Sequence, residues 1–235
     1  MRAFLARWCK RLVVAGVVVM LVLPLLFFIV FRFVPVPFTS FMVIASVNGL
    51  FEEKPYRTQH DWVPIEAISP RLQRAVIASE DQKFPDHYGL DIEAMQNALK
   101  HNQRSARIRG GSTISQQLAK NIFLWSGRSY VRKGIEAWLT LMMETLWSKE
   151  RILEVYLNSV EFGRGIYGAE AAAQHYFHKP AQKLSAREAA LLAAALPSPR
   201  KRNPAKPSGY MQSRAAWIQR QMARLGPVER QITGD

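Results

Sequence analysis

The chain has little cysteine and few acidic residues. Its single cysteine, Cys9, excludes an intramolecular disulfide. The 18 acidic residues are outnumbered by 32 basic ones, which gives a formal net charge of +14. This excess favours an acidic partner, such as a membrane surface, a phosphate-bearing substrate or a nucleic acid. Because the sequence carries no nucleic-acid-binding motif, charge alone does not support a nucleic-acid partner.

The signatures of several common chemistries are also missing. The five histidines form no His-Glu-x-x-His motif and no paired Cys/His pattern, which argues against a zinc site. There is no Walker loop, no dinucleotide-binding glycine pattern and no internal repeat. One Ser-x-x-Lys match, Ser198 to Lys201, lies in a proline-rich connector without a following Lys-Thr-Gly, so we interpret it as chance. The chemistry must therefore come from acids and bases.

One long apolar run is present near the N-terminus. Leu12 to Phe31 comprises 20 residues without a charge, and as a helix it spans about 30 Å, the thickness of a bilayer's hydrocarbon core. The run is longer than the core of a signal peptide and is not followed by a clear cleavage site. We therefore predict a cytoplasmic tail at residues 1–11 and an uncleaved transmembrane anchor at residues 12–32. Four basic residues and no acidic residue precede the run, which predicts a cytoplasmic N-terminus.

The rest of the chain is then exported and still basic, with 27 basic and 18 acidic residues and a formal charge of +9. For a domain beside a membrane, this charge favours membrane lipids or phosphate-bearing substrates over nucleic acid. Residues 33–65 are predicted to be a juxtamembrane segment. Its apolar part, Pro37 to Phe51, either lies along the membrane or packs beneath the folded domain, and packing is slightly favoured.

The spacing of apolar residues predicts successive helices in a folded domain at residues 66–200. The first begins near Pro70 and leads to Glu80. Side chains that can cap further helices are Asp91, Ser112 or Thr113, Ser129, Ser148 and Ser185. No long alternation of period two occurs, so we predict a mainly α fold with at most a short hairpin. Residues 201–235 are predicted to hold a basic C-terminal helix, around Ser213 to Leu225, that is solvated or faces the membrane.

Polar residues form three clusters along the chain. Glu80 and Asp81 follow the first helix, where acids are more often caps than catalysts. A second cluster contains Gln116, Gln117 and Lys120, and a third contains Arg128, Arg132, Lys133 and Glu136. On a helix, the last three would place two cations beside one carboxylate. That group is either an ion-pair ladder on the surface or an anion site.

Five motifs in this order resemble the monofunctional biosynthetic peptidoglycan transglycosylases of glycosyltransferase family 51. They cover about 130 residues, nearly all of the folded part. The motifs are EDQKFPDHYG at Glu80–Gly89, GGSTISQQLAKN at Gly110–Asn121, RKGIE at Arg132–Glu136, KERILEVYLN at Lys149–Asn158, and the pair GRGIYGAEAAAQHYF and AREAALLAAALPSP from Gly163 to Pro199. Ser115 stands where this family commonly has threonine, a change that should not alter the chemistry.

The resemblance implies a lysozyme-like α fold, with a head and a membrane-associated jaw, on the periplasmic side of a bacterial inner membrane. The implied activity is polymerisation of lipid II into β-1,4-linked glycan strands, with inversion at the donor's anomeric carbon and release of undecaprenyl diphosphate. Its implied partners are lipid II, the nascent lipid-linked glycan, membrane lipids and other cell-wall synthesis and division proteins. Only about 35 residues follow Pro199, so we expect no transpeptidase activity.

The resemblance also assigns roles to residues. Glu80 matches the general base that activates the acceptor hydroxyl, and Glu136 is a second catalytic candidate beside the departing diphosphate. Glu136 would hold the basic residues in place or share a divalent Mg²⁺ or Mn²⁺ ion with the substrate phosphates. No organic cofactor is expected. The predicted substrate-binding residues are Asp81, Ser112, Thr113, Gln116, Gln117, Lys120, Arg128, Arg132 and Lys133.

Two other functions also fit part of this pattern. A lysozyme-like lytic enzyme would also use a glutamate on a helical fold, but it has no need of the face formed by Arg132, Lys133 and Glu136. A catalytically silent membrane-anchored scaffold would need no Glu80 at all.

Overall fold

The computed structural model describes residues 2–53, 55–104, 110–127 and 129–233. Within these ranges the chain is mainly helical, as predicted. The helices are α1 Arg2–Val17, α2 Leu23–Val30, α3 Ser40–Phe51, α4 Pro70–Glu80, α5 Ile92–Arg104, α6 Ile114–Phe123, α7 Tyr130–Leu146, α8 Lys149–Ser159, α9 Ala169–Phe177, α10 Ala186–Ala195, α11 Gly209–Leu225 and α12 Val228–Thr233. A π-helical turn, Val18–Val22, joins α1 to α2.

A small sheet completes the secondary structure. Its strands are β1 Gln59–His60, β2 Glu161–Gly163 and β3 Ile166–Tyr167. β2 and β3 form the short hairpin that the sequence predicted. β1 pairs in parallel with β3, Gln59 opposite Ile166, and no pattern in the sequence predicts this pairing. Two residues are too few to show a periodic pattern.

The N-terminal helices contain the long apolar helix that the sequence predicts, here called the anchor. Arg7–Val30, 24 residues, is long and apolar enough to cross a membrane. Pro24 lacks the N–H that would otherwise bond to the carbonyl of Met20. The indole Nε1 of Trp138, on α7, donates to that carbonyl at 3.2 Å. The hydrogen bond that is lost at Pro24, beside the π-helical turn, is therefore replaced by one from a side chain of the folded domain.

The C-terminal end of the anchor packs into the folded domain. Phe28 is fully buried, and its ring meets the ring of Trp147 edge to face. The Trp147 Nε1 donates to the Phe28 carbonyl at 2.6 Å, and Arg151 Nη2 donates to the Phe31 carbonyl at 2.9 Å. These carbonyls lie at a helix end, where intrahelical partners run out. Side chains from the end of α7 and from α8 thus cap the anchor.

The juxtamembrane segment packs on the folded domain, and its position along a membrane stays a prediction. Thr39 caps α3 by accepting from the Met42 N–H at 3.3 Å. One face of α3 packs on the domain through Met42, Ala45 and Gly49, which are buried. The opposite face is exposed and apolar, with Phe51 85% exposed. Packing and an unpartnered apolar face therefore coexist in one helix.

The domain core lies between α4, α6, α8 and α10. Every residue from Ala189 to Ala195 of α10 is buried, and small alanines let α4 and α11 pack closely against it. α11 begins at Gly209, capped by Ser208, and buries Met211, Ala215 and Ile218. The basic C-terminal helix is therefore solvated on one face only, with Arg220 and Arg224 exposed, because its apolar stripe packs on α4 and α10. Contact of this helix with a membrane stays a prediction. The boundary that we predicted at residue 200 stays a prediction.

Candidate active site

Glu80 lies at the end of α4, a helix held by a Ser69 cap, Pro70 in its first turn and a buried apolar face. The Glu80 carboxylate is half-buried and accepts hydrogen bonds from Gln117 Nε2 and from Ser79 Oγ, each at 3.1 Å. Burial raises the pKa of Glu80 above the usual value for a glutamate. The two hydrogen bonds oppose that rise. A carboxyl tuned in this way is suited to accept a proton near neutral pH.

A buried tyrosine fixes the orientation of Gln117. Tyr156, fully buried on α8, donates its hydroxyl to Gln117 Oε1 at 2.9 Å, so the amide nitrogen faces Glu80. Burial raises the pKa of Tyr156 well above 10, and the charge of Glu80 adds to this rise. Tyr156 therefore remains a hydrogen-bond donor. Sequence reasoning placed Tyr156 in a motif but gave it no role.

Arg214 of α11 is a second residue that sequence reasoning missed. Its Nη2 donates to the Ser79 carbonyl at 3.4 Å, and its guanidinium lies over the ring of Trp217, 4.1 Å from the centroid. The positive charge of Arg214 lowers the pKa of Glu80, against the effect of burial. The hydrogen bond joins residues 135 positions apart, so no local pattern could reveal it.

Asp81 supports the neighbouring helix. It is buried, its carboxylate lies 3.0 Å from His87 Nε2, and it accepts from the N–H of Ile114 at 2.9 Å. The Ile114 N–H is one of the groups at the start of α6 that no helical carbonyl can satisfy. Asp81 thus holds the helix that carries Gln117 and Lys120 against the end of α4. The predicted role of Asp81 in binding substrate stays a prediction.

Thr113 and Gln116 are used in the cap of α6. Thr113 Oγ1 accepts from the Gln116 N–H, and Gln116 Oε1 accepts from the Thr113 N–H at 3.1 Å, which forms a capping box. Thr113 also donates to the carbonyl of Gly89 at 2.6 Å, and Gly89 has a φ of 76° that favours glycine. Thr113 and Gln116 are 3% and 1% exposed, so their side chains lie beneath the site. Their predicted role in binding substrate stays a prediction.

A compact basic cluster lies at the start of α7. Both oxygens of the buried Glu136 carboxylate accept from cations: Arg132 Nη1 at 2.8 Å and Lys133 Nζ. Arg132 Nε also donates to the Gly127 carbonyl at 2.7 Å, and Lys133 Nζ donates to the exposed Ser112 hydroxyl at 3.2 Å. Glu136 therefore orients the two cations. Of the two structures that the spacing allowed, this buried and oriented group fits an anion site.

Lys120 faces the same cluster from α6. Burial lowers the pKa of Lys120, the charge of Glu136 raises it, and the charges of Arg132 and Lys133 lower it. Its ammonium also lies 5.3 Å from the centre of the Phe41 ring. A bound anion would favour the charged form of Lys120. Arg128, also predicted here, lies outside the described residues.

The residues at this cluster do not form a metal site by themselves. No three His, Cys, Asp or Glu side chains converge within the ranges that the structure describes. Both oxygens of Glu136 already accept from cations. We therefore derive no catalytic step through a metal at Glu136, and a Mg²⁺ or Mn²⁺ ion held jointly with substrate phosphates stays a prediction.

α6 connects the two halves of the site. Gln117, beside Glu80, and Lys120, beside the basic cluster, are three residues apart, so their side chains emerge about one helical turn from each other. One side of this turn can accept a proton and the other can hold an anion. The site can therefore activate a hydroxyl next to a phosphate-bearing group.

Comparison with known proteins identifies the family. The family model described as Transglycosylase matches residues 48–223. The chain is 57% identical to a biosynthetic peptidoglycan transglycosylase of Pasteurella multocida (strain Pm70), over 92% of this chain and 89% of that protein. It is 55% identical to the protein of that name from Pseudomonas syringae pv. syringae (strain B728a), over 86% and 85% of the two chains. The chain therefore belongs to the transglycosylase family, which comprises glycosyltransferase enzymes.

Proposed function

We propose that the protein is a peptidoglycan glycosyltransferase that polymerises lipid II into β-1,4-linked glycan strands and releases undecaprenyl diphosphate. The observation that carries this proposal is that a proton acceptor, Glu80, and a cation cluster lie beside adjacent turns of α6. The relatives, named as biosynthetic peptidoglycan transglycosylases, support the same substrate class.

In the first half of the reaction, Glu80 takes the proton of the acceptor sugar's 4-hydroxyl. An alcohol is a weak nucleophile, and a positioned carboxylate with a raised pKa increases its reactivity. Gln117 holds the Glu80 carboxylate in place, and Tyr156 holds Gln117. Attack on the face opposite the leaving group inverts the configuration at the donor's anomeric carbon.

In the second half, the bond to the lipid diphosphate breaks and negative charge grows on its oxygens. Lys120, Arg132 and Lys133 stabilise this charge, because preorganised cations act most strongly where charge develops. The Ser112 hydroxyl, bonded to Lys133, lies at the rim of the same cluster. Glu136 keeps Arg132 and Lys133 aligned, which accounts for a carboxylate beside an anion site.

The location that we propose is a bacterial cytoplasmic membrane, with the N-terminus inside and the catalytic domain in the periplasm. The apolar helix Arg7–Val30 supports a single-pass anchor. The exposed apolar face of α3 supports contact with the same bilayer, which brings the site to a substrate whose lipid tail stays in the membrane.

The test is incubation of the full chain, solubilised in detergent, with labelled lipid II and separation of polymer from monomer. We expect polymer from the wild type and a loss of about a hundredfold or more in Glu80→Gln, which removes the base but keeps the side-chain shape. Glu66→Gln, at an exposed glutamate on another element, is the control and should leave the rate unchanged.

Three results would contradict the proposal. The first is no polymer from the wild type under any divalent-metal condition. The second is full activity of Glu80→Gln. The third is release of labelled fragments from purified sacculi in place of polymerisation, which would indicate a lytic enzyme.

A further inference from the structure

A second charged cavity lies away from the residues of the candidate site. Its volume is about 460 Å³, and it is bounded by β1, β3, the end of α9 and the loop after α10. Six of its lining residues are basic or histidine: Arg57, Arg164, His175, Arg200, Lys201 and Arg202. None of them takes part in the proposed reaction. A cavity of this size and charge is suited to a small anionic group with an organic portion.

The cations in this cavity are only partly neutralised. Arg164 pairs with Glu52, and Arg200 Nε lies 3.0 Å from Glu161 Oε1. These two pairs fix two of the arginines.

The remaining positive charge of the cavity is paired with no carboxylate of the residues that the structure describes. Arg202 donates to the carbonyl of Ala194 at 2.6 Å and lies over the Tyr210 ring. Arg57 and Lys201 are exposed, and no described carboxylate pairs with either of them. Three positive charges are therefore available to a ligand.

One wall of the cavity, formed by Tyr56 and its neighbours, lies against α3, the helix with the exposed apolar face. The Tyr56 N–H donates to the carbonyl of Gly49 at 3.2 Å, and the Ser46 and Thr58 hydroxyls are 2.8 Å apart. The lining of the cavity is thus attached to the buried face of α3. The other face of α3 exposes Leu50 and Phe51.

This arrangement sets the depth of the charges relative to a bilayer. An apolar helix face enters the boundary between acyl chains and headgroups by about 5–10 Å. A helix with its side chains is about 10 Å thick, so residues behind α3 lie at about the level of the lipid phosphates. Guanidinium groups pair well with phosphate oxygens at that level.

We propose that this cavity binds the phosphodiester headgroup of an anionic phospholipid, with Arg57 and Lys201 as its principal ligands and Arg202 beside them. The proposal rests on the membrane location proposed above, but not on the reaction. A bound headgroup would hold α3 and the small sheet at the membrane surface. The site would add a specific lipid contact to the general attraction of a basic domain.

The test is native mass spectrometry of the full chain in a neutral detergent, with phosphatidylglycerol or phosphatidylcholine of the same acyl chains. We expect the wild type to retain phosphatidylglycerol in preference to phosphatidylcholine. The double variant Arg57→Gln/Lys201→Gln should bind phosphatidylglycerol more weakly by about fivefold for each charge removed. The control is Lys183→Gln/Arg187→Gln, which removes the same charge from two exposed positions outside the cavity and should bind like the wild type.

Several outcomes would overturn the proposal. The first is equal retention of the two lipids, and the second is an equal loss of phosphatidylglycerol binding in both double variants. The third is displacement of the lipid by an equal concentration of inorganic phosphate, which would indicate a free-anion site. Competition by a short peptide with a free carboxylate would assign the cavity to a peptide. If the double variant unfolds, Lys201→Gln alone gives the same comparison. The measurement contains no lipid II, so its result does not depend on whether the protein catalyses the proposed reaction.

Discussion

At the scale of single residues, the protonation of Glu80 depends on a cation from the far end of the chain. Burial raises the pKa of Glu80, and the positive charge of Arg214 lowers it. A general base works only when deprotonated, so activity falls as the pH drops through this pKa. Arg214→Gln removes the lowering effect. We expect the acid limb of the rate profile to move to higher pH, measured as polymerisation rate against pH.

The control for this prediction is Arg220→Gln, which removes an exposed charge from the same helix. Its acid limb should coincide with that of the wild type. If both variants shift equally, the effect comes from overall charge and not from the position of Arg214 beside Ser79 and Glu80.

Tyr156 allows a second test at this scale, because its hydroxyl is its link to Gln117. Tyr156→Phe keeps the buried ring but frees the Gln117 amide to turn its oxygen toward Glu80. We expect the rate to fall about fivefold, the worth of one ordinary hydrogen bond, and the acid limb to move to higher pH. Tyr88→Phe, which removes an exposed hydroxyl bonded to Thr145, should change neither quantity. A lower rate with an unmoved acid limb would contradict the positioning role.

The amino-acid sequence predicted part of this site. The rest depends on contacts between distant parts of the chain, which a single sequence does not reveal. Glu80, Gln117, Lys120, Arg132, Lys133 and Glu136 were predicted from local spacing and the family resemblance, and the structure groups them around α6. Arg214 and Tyr156 act through contacts with residues 135 and 39 positions away. Such contacts are decided by packing, so a single sequence contains no local sign of them.

At the scale of elements, helix starts were predictable because a cap is a local interaction. The capping side chains of Asp91, Thr113, Ser129, Ser148 and Ser185 all accept a hydrogen bond from an N–H two or three residues into their helices. The environment of α11 was not predictable in this way. Its stripe of Met211, Ala215 and Ile218 would suit a membrane surface or a protein core equally well, and only the alanine-rich surface of α10 decides between them.

The junction between the anchor and the domain gives a prediction at this scale. Trp147→Phe preserves an aromatic ring against Phe28 but leaves the buried Phe28 carbonyl without its donor. We expect the free energy of unfolding to fall by about 1–3 kcal/mol, the cost of an unsatisfied buried polar group. The measurement is the thermal unfolding midpoint in detergent at one scan rate, which should drop by several degrees.

Trp125→Phe is the matched control for this change. Trp125 is 51% exposed, and its indole forms no hydrogen bond with the part of the chain that the structure describes. The thermal unfolding midpoint of the Trp125→Phe variant should therefore equal that of the wild type. Equal midpoints for Trp147→Phe and the wild type would mean that the indole bond does not hold the anchor to the domain.

At the scale of the whole molecule, the membrane orientation that we propose makes a prediction about the two ends of the apolar helix Arg7–Val30. The charge pattern predicts a cytoplasmic N-terminal tail, because basic residues beside a membrane span tend to stay on that side. Cys9 is the single cysteine of the chain, is exposed and lies among the basic residues at the N-terminal end of the apolar helix, so it reports the side of the membrane on which that end lies without an engineered label. We expect a membrane-impermeant maleimide to leave Cys9 unlabelled in intact spheroplasts and to label it after lysis.

The matched variant carries Cys9→Ala together with Lys183→Cys, which moves the thiol to an exposed position of the folded domain. Here labelling should occur in intact spheroplasts and should not increase on lysis. The opposite pattern in the two proteins would place the catalytic domain in the cytoplasm. That result would also remove the outer-face membrane contact on which the proposed reaction depends, since a lipid-linked sugar must lie on the same side of the bilayer as Glu80 and Lys120.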